Sequence, residues 1–135
     1  MSWLLDTNTC SYVLKRQFGL AERLQTESPA ELHVCAITLG EARAGAQKSP
    51  AAARLLAAWA FFLKPFEDRI LAFDKDAANA YGDIRAHLER EGVMIGDRDC
   101  MIAAIARCRE LTVVTGNVTE FGRVPRLAVE DWRQL

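Results

Sequence analysis

Long hydrophobic runs are missing from this 135-residue sequence. Its most apolar stretch, residues 51–63, contains Arg54 and falls short of the roughly 20 residues a bilayer span needs. The first residues, Met1 to Asp6, offer neither a basic nor an apolar leader region, so no secretory signal is expected and a cytoplasmic location is. Cysteine is sparse: Cys10, Cys35, Cys100 and Cys108 include no C-x-x-C pair, which excludes a zinc ribbon and a dense disulfide scaffold. They read as small buried hydrophobes or free thiols of a reducing compartment. Histidine is scarcer still, and neither His33 nor His87 has a second histidine nearby, which argues against a zinc or iron centre. Positive charge is not in surplus either. Lys plus Arg number 17 against 18 Asp plus Glu, a net charge of −1, so an anionic partner would need a local basic patch or a bound cation. G-x-G-x-x-G and P-loop patterns are both absent.

What is present suits one globular domain over residues 1–135. Half the residues are apolar and 26 % are charged, enough to fill a core and keep a surface wet. Trp3-Leu4-Leu5 reads as a short buried strand, and helices are expected over residues 9–16 and 20–26. Leu32 to Ile37 reads as a second strand with a helix from Thr38, and Ala51 to Leu63 as a broadly apolar helix stopped by Pro65. Arg69 to Phe73 reads as a third strand. Asp74 is placed to cap a helix running to Glu91, with Gly92 as its C-terminal cap. An alanine-rich helix follows Gly96, then the β-branched strand Leu111 to Thr115 and a last strand over Leu127 to Val129. Strands alternating with helices predict an α/β fold, a mainly parallel sheet covered on both faces, whose ligands bind beyond the carboxyl ends of the strands.

Acidic residues collect at those ends. Asp6 follows the first strand, Glu41 lies four residues past Ile37, Asp97 and Asp99 open the alanine-rich helix, and Glu120 follows the Val113-Val114 strand. Each has a plain alternative. Asp6, Asp97 or Asp99 would cap a helix, Thr38-Leu39-Gly40-Glu41 has the spacing of a capping box, and Glu120 would serve as a solvated loop residue. Taken together, they would repel strongly. Two carboxylates 4 Å apart cost about 4 kcal/mol at an effective dielectric near 20. A shared crevice lined by them calls for a hard divalent cation, Mg²⁺ or Mn²⁺, and hence for phosphodiester chemistry.

Four fragments carry a family likeness: Leu4-Leu5-Asp6-Thr7-Asn8, Thr38-x-x-Glu41, Ile95-Gly96-x-x-Asp99-x-x-Ile102-Ala103-Ala104, and Val113-Val114-Thr115-x-Asn117-x-x-Glu120-Phe121. In this order and spacing the chain resembles PIN-domain ribonucleases, and among them the VapC toxins of bacterial toxin–antitoxin operons. The resemblance implies a three-layer α/β/α sandwich with about four or five strands. It implies a Mg²⁺- or Mn²⁺-dependent endoribonuclease acting on structured RNA, transfer RNA foremost, as a homodimer held in check by a cognate antitoxin. Asp6, Glu41 and Asp99 match the three core acids that ligate metal, and Glu120 matches a fourth, more variable one. Thr7, Asn8, Thr115 and Asn117 match residues lining the site. The family usually has one acid after the glycine. Asp99 has the matching spacing from Gly96, which leaves Asp97 a helix-capping or supporting role. Gly116 stands where a polar residue is common, loosening the loop before Glu120.

Arg98, beside the acids, and Arg43 are the arginines expected to contact RNA phosphates. Trp59, Phe61 and Phe62 are expected mainly in the core, with a surplus left for a dimer seam or an antitoxin groove. The alternative reading is a catalytically weak PIN-like binding module. A phosphoacceptor domain is disfavoured, since Asp6 is followed by Thr7 and no lysine lies beyond residue 75.

Overall fold

A computed structural model describes residues 1–135. Four short parallel strands form its sheet: β1 (Trp3–Leu5), β2 (Leu32–His33), β3 (Thr112–Val114) and β4 (Val129–Glu130), in the order β2-β1-β3-β4. β1 lies centrally, with Trp3 opposite both Leu32 and Thr112. Its three residues are all buried, which explains why it reads as an unbroken apolar run rather than an alternating one. Alternation decides which core each side chain enters. Leu4 and Val113 face one side, with Ile84, Leu88, Ile102 and Ile105; Trp3, Leu5 and Val114 face the other, with Leu20, Leu63 and Phe66.

Seven helices cover the sheet: α1 (Thr7–Leu14), α2 (Leu20–Gln25), α3 (Ala36–Gln47), α4 (Ala52–Leu63), α5 (Lys75–Glu91), α6 (Asp97–Cys108) and α7 (Val118–Phe121). α5 follows the sequence reading at both ends. The Asp74 carboxylate accepts from the Ala77 amide at 3.0 Å, and Gly92 closes the helix with φ +69°.

Three expectations need correction. Arg69 to Phe73 forms a single parallel bridge, Cys35 to Leu71, rather than a strand; Leu71 exchanges bonds with Val34 and Ala36 at 3.0 and 2.8 Å and the chain then turns away. α3 starts at Ala36, two residues before Thr38. The capping box therefore does not form, and Glu41 lies beyond the first turn with its carboxylate free for other partners. α4 is not chiefly a core helix. Among its residues Leu63 alone is buried, Trp59 and Phe62 are half-buried, and Phe61 is 85 % exposed. Local pattern reported its apolarity correctly but not what covers it.

Candidate active site

The acids come together at the carboxyl ends of the central strands. Asp6 leaves β1 and is itself buried. Its Oδ1 accepts from the Thr9 amide at 2.8 Å, so it does cap α1. The Thr9 amide occupies only Oδ1, so capping α1 does not use both oxygens of the carboxylate. Burial pushes its carboxyl above the ordinary aspartate range, against the opposing pull of the Thr115 and Thr9 side chains. Glu41 reaches the crevice from α3. Thr7 Oγ1 donates to its Oε1 at 2.6 Å, and Arg98 Nε stands 3.2 Å from its Oε2. Thr7 Oγ1 also meets the hydroxyl of buried Thr38 at 3.0 Å, so α1 and α3 are joined at their first turns.

Asp99 occupies the first turn of α6, half-buried. Its pKa is raised to about 6, first by burial and then by the charges of Asp6, Glu120 and Glu41, with Arg98 opposing. Glu120 comes from α7, where Asn117 Nδ2 donates to its Oε2 at 2.6 Å; the Asn117 amide donates to Thr115 Oγ1 at 2.9 Å. Four carboxylates from four separate helices and strand exits thus act on one another.

Other predicted residues make none of these contacts. Asp97 does not cap α6, a place taken by Gly96. Its side chain is exposed and stands 3.7 Å from Arg85 on α5. The i,i+12 register between α5 and α6 was not visible in the local sequence around Gly96. Asn8 is exposed in the first turn of α1, and Arg43 is exposed on α3 without an ion pair. Sequence reasoning missed Arg133, whose Nη2 donates to the Gly116 carbonyl at 3.2 Å. Nothing in its local sequence distinguishes it from any other arginine near a chain end.

No group of three or more His, Cys, Asp or Glu side chains is arranged to hold a metal ion as it stands. Asp6, Glu41 and Glu120 are engaged instead by a threonine, asparagine, amide or arginine. Their oxygen-only donor set suits a hard divalent cation and mismatches zinc.

The PIN domain family matches residues 3–127. This chain belongs to the PIN-domain family. Within it, relatives include VapC ribonucleases. The tRNA(fMet)-specific endonuclease VapC of Salmonella typhimurium is 40 % identical over 133 residues, covering 98 % of both chains. The crystal structure of DNA-bound VapBC from Salmonella typhimurium superposes with a TM-score of 0.90 at 39 % identity, covering 98 % of each chain. VapBC2 of Rickettsia felis, bound to a DNA fragment from its promoter, gives 0.88 at 30 % identity, covering 98 % of this chain and 99 % of that one. The PIN-domain assignment agrees with the parallel sheet and the α/β architecture.

Proposed function

We propose that this chain is an endoribonuclease toxin that cuts a structured RNA, with initiator transfer RNA the first candidate because the Salmonella typhimurium relative is named for it. The observation that carries this reading is the convergence of Asp6, Glu41 and Glu120 on Asp99. Asp6, Glu41 and Asp99 would hold a divalent cation, Mg²⁺ or Mn²⁺, with Glu120 beside them. Such an ion supplies positive charge to a phosphodiester and lowers the pKa of a water molecule it holds.

The remaining work falls to protein side chains. Thr7 fixes Glu41, the Thr9 amide fixes Asp6, and Asn117 fixes Glu120, so the acids are oriented before substrate arrives. Arg98, 73 % exposed beside Glu41, is placed to meet an RNA phosphate at the lip of the crevice, and Arg43 extends that contact along α3. Together they supply locally the positive charge that the overall composition withholds.

Inhibition by an antitoxin fits a second feature. A groove of about 550 Å³ runs between α1, α2 and α4, lined by Val13, Leu24, Phe61, Phe62 and Phe66, with Arg69 at its margin. Its shape and apolarity suit the apolar face of an amphipathic antitoxin helix, as expected of a protein whose relatives are solved as VapBC complexes. The apolar surface of α4 left outside the groove is the proposed seam of a homodimer. A cytoplasmic location accords with this activity, and no helix is long and apolar enough to cross a membrane.

The test is direct. Purified protein is incubated with initiator transfer RNA in Mg²⁺, in Mn²⁺ and in EDTA, alongside Asp6→Asn, and the RNA ends are sequenced. Cleavage at a defined position, lost in EDTA and in the variant, is the expected result. Equal cleavage by both proteins, or none by either, would end the enzymatic reading.

A further inference from the structure

The segment following β4 is fastened to the body of the domain at several points. Trp132 is buried edge-on against Trp3, with ring centroids 5.1 Å apart, and the Arg23 guanidinium lies 4.0 Å over its ring. The Gln134 amide donates to the Phe18 carbonyl at 2.8 Å. Phe18 has φ +60°, a conformation costly for a bulky residue that persists only where surrounding contacts impose it. Both neighbours of Arg133 are therefore held.

Arg133 itself is held by Asp131, with Nε 3.0 Å from Oδ1 and Nη2 2.9 Å from Oδ2, and its guanidinium lies 5.6 Å from the Phe18 ring centre. From there it donates to the Gly116 carbonyl. Gly116 separates Thr115, whose side chain acts on Asp6, from Asn117, which holds Glu120. A Cβ at Gly116 would lie 2.8 Å from both Cζ and Nε of Arg133, so a side chain there would displace the guanidinium. Since Gly116 is not among the residues with positive φ, its backbone suits alanine and the glycine serves space alone.

We propose that Arg133 is a positioning residue for RNA cleavage, clamping the Gly116 carbonyl and thereby fixing the short segment that presents Asn117 and Glu120 to the crevice. This rests on the nuclease reading above. A four-residue helix such as α7 has little stability of its own, so its placement depends on anchors at its ends. Buried Phe121 anchors one end, and the Thr115 amide bond to the Glu130 carbonyl, together with the Arg133 clamp, anchors the other. A direct RNA contact fits less well, because the Arg133 side chain is only 22 % exposed and its charge is already matched by Asp131.

The test compares wild type, Arg133→Ala, Arg133→Lys, Gly116→Ala and the Gly116→Ala/Arg133→Ala double variant. Two readouts are taken: kcat and KM on the cleaved RNA, and amide hydrogen exchange of residues 116–121. A small misplacement of a catalytic group lowers turnover by one to two decades, so Arg133→Ala and Gly116→Ala should each lower kcat about tenfold with KM within about twofold. The double variant should be no worse than either single, because both remove the same contact. Exchange at residues 116–121 should quicken alike in all three, and Arg133→Lys should recover part of both losses. Multiplying effects in the double variant, a raised KM with unchanged kcat, or unaltered exchange would each overturn the clamp. If wild type fails to cut RNA, the nuclease reading falls, and the exchange pattern alone then decides for or against the clamp.

Discussion

Thr7 Oγ1 donates to Glu41 Oε1 at 2.6 Å, joining the first residue of α1 to a carboxylate 34 positions away. The contact keeps an acid from α3 turned toward one from β1 although their charges oppose each other, and it also satisfies the Thr38 hydroxyl. Thr7→Val removes the donor at nearly constant volume. Stability should fall by about 1 kcal/mol, the usual loss for one hydrogen bond to a partly buried acceptor, while kcat falls by an order of magnitude or more. Thermal melts and RNA-cleavage kinetics check the two values separately.

Asp99 gives a pH dependence of definite sign. Its carboxyl titrates near 6 in the folded chain against 3.8 unfolded, so the folded state holds the proton more tightly. Its stabilising contribution is complete below pH 3.8 and is lost as pH rises through about 6. In EDTA, Asp99→Asn should therefore melt above wild type at pH 7.5, and the difference should vanish near pH 4. Melting curves across that range decide it, and an unchanged difference would contradict the crowding of Asp6, Glu41 and Glu120 around this residue.

Added Mg²⁺ or Mn²⁺ should act in the opposite direction. A cation bound only by the folded state stabilises it, by about 2.7 kcal/mol at a hundredfold excess over Kd. Wild type at pH 7.5 should gain melting temperature with the ion, and Asp6→Asn and Asp99→Asn should gain much less. Calcium-free buffers and a titration to saturation make the comparison clean.

Phe61 lies in the groove yet is almost wholly solvent-exposed, so its replacement should leave the fold intact. Phe61→Asp should cost the antitoxin complex about 2–4 kcal/mol, the range of an aromatic interface anchor, and leave RNA cleavage by free toxin unchanged. Calorimetry with the antitoxin and a cleavage assay test both halves.

Cysteine chemistry should be quiet. Cys10, Cys35 and Cys100 are buried and Cys108 is exposed, all four being free thiols. Burial raises the pKa of each, most strongly at Cys10. A thiol reagent should modify one cysteine in the native protein, slowly at neutral pH, and four after denaturation.

Much of the local structure can be read without coordinates. Asp74 and Gly92 bracket α5 because capping chemistry acts within one helical turn. The apolar runs at residues 3–5 and 112–114 are strands because parallel sheets bury both faces. The acids at strand exits were legible for the same reason, as the topology of an alternating α/β chain sends those exits to one edge. Long-range choices were not. Thr38-x-x-Glu41 has the spacing of a capping box, yet α3 begins earlier because Ala36 and Leu71 hydrogen-bond across 35 residues. Asp97 has the spacing of a cap and is drawn to Arg85 on another helix.

The order of residues along the chain thus determined the fold class and the family, since each follows from short-range spacing or from matching motifs. Three-dimensional packing alone decided that α4 presents Phe61 to solvent and that Arg133 lies over Gly116. Those outcomes depend on which surfaces remain uncovered and which distant backbone leaves space for a guanidinium, and neither is encoded within any single turn or strand.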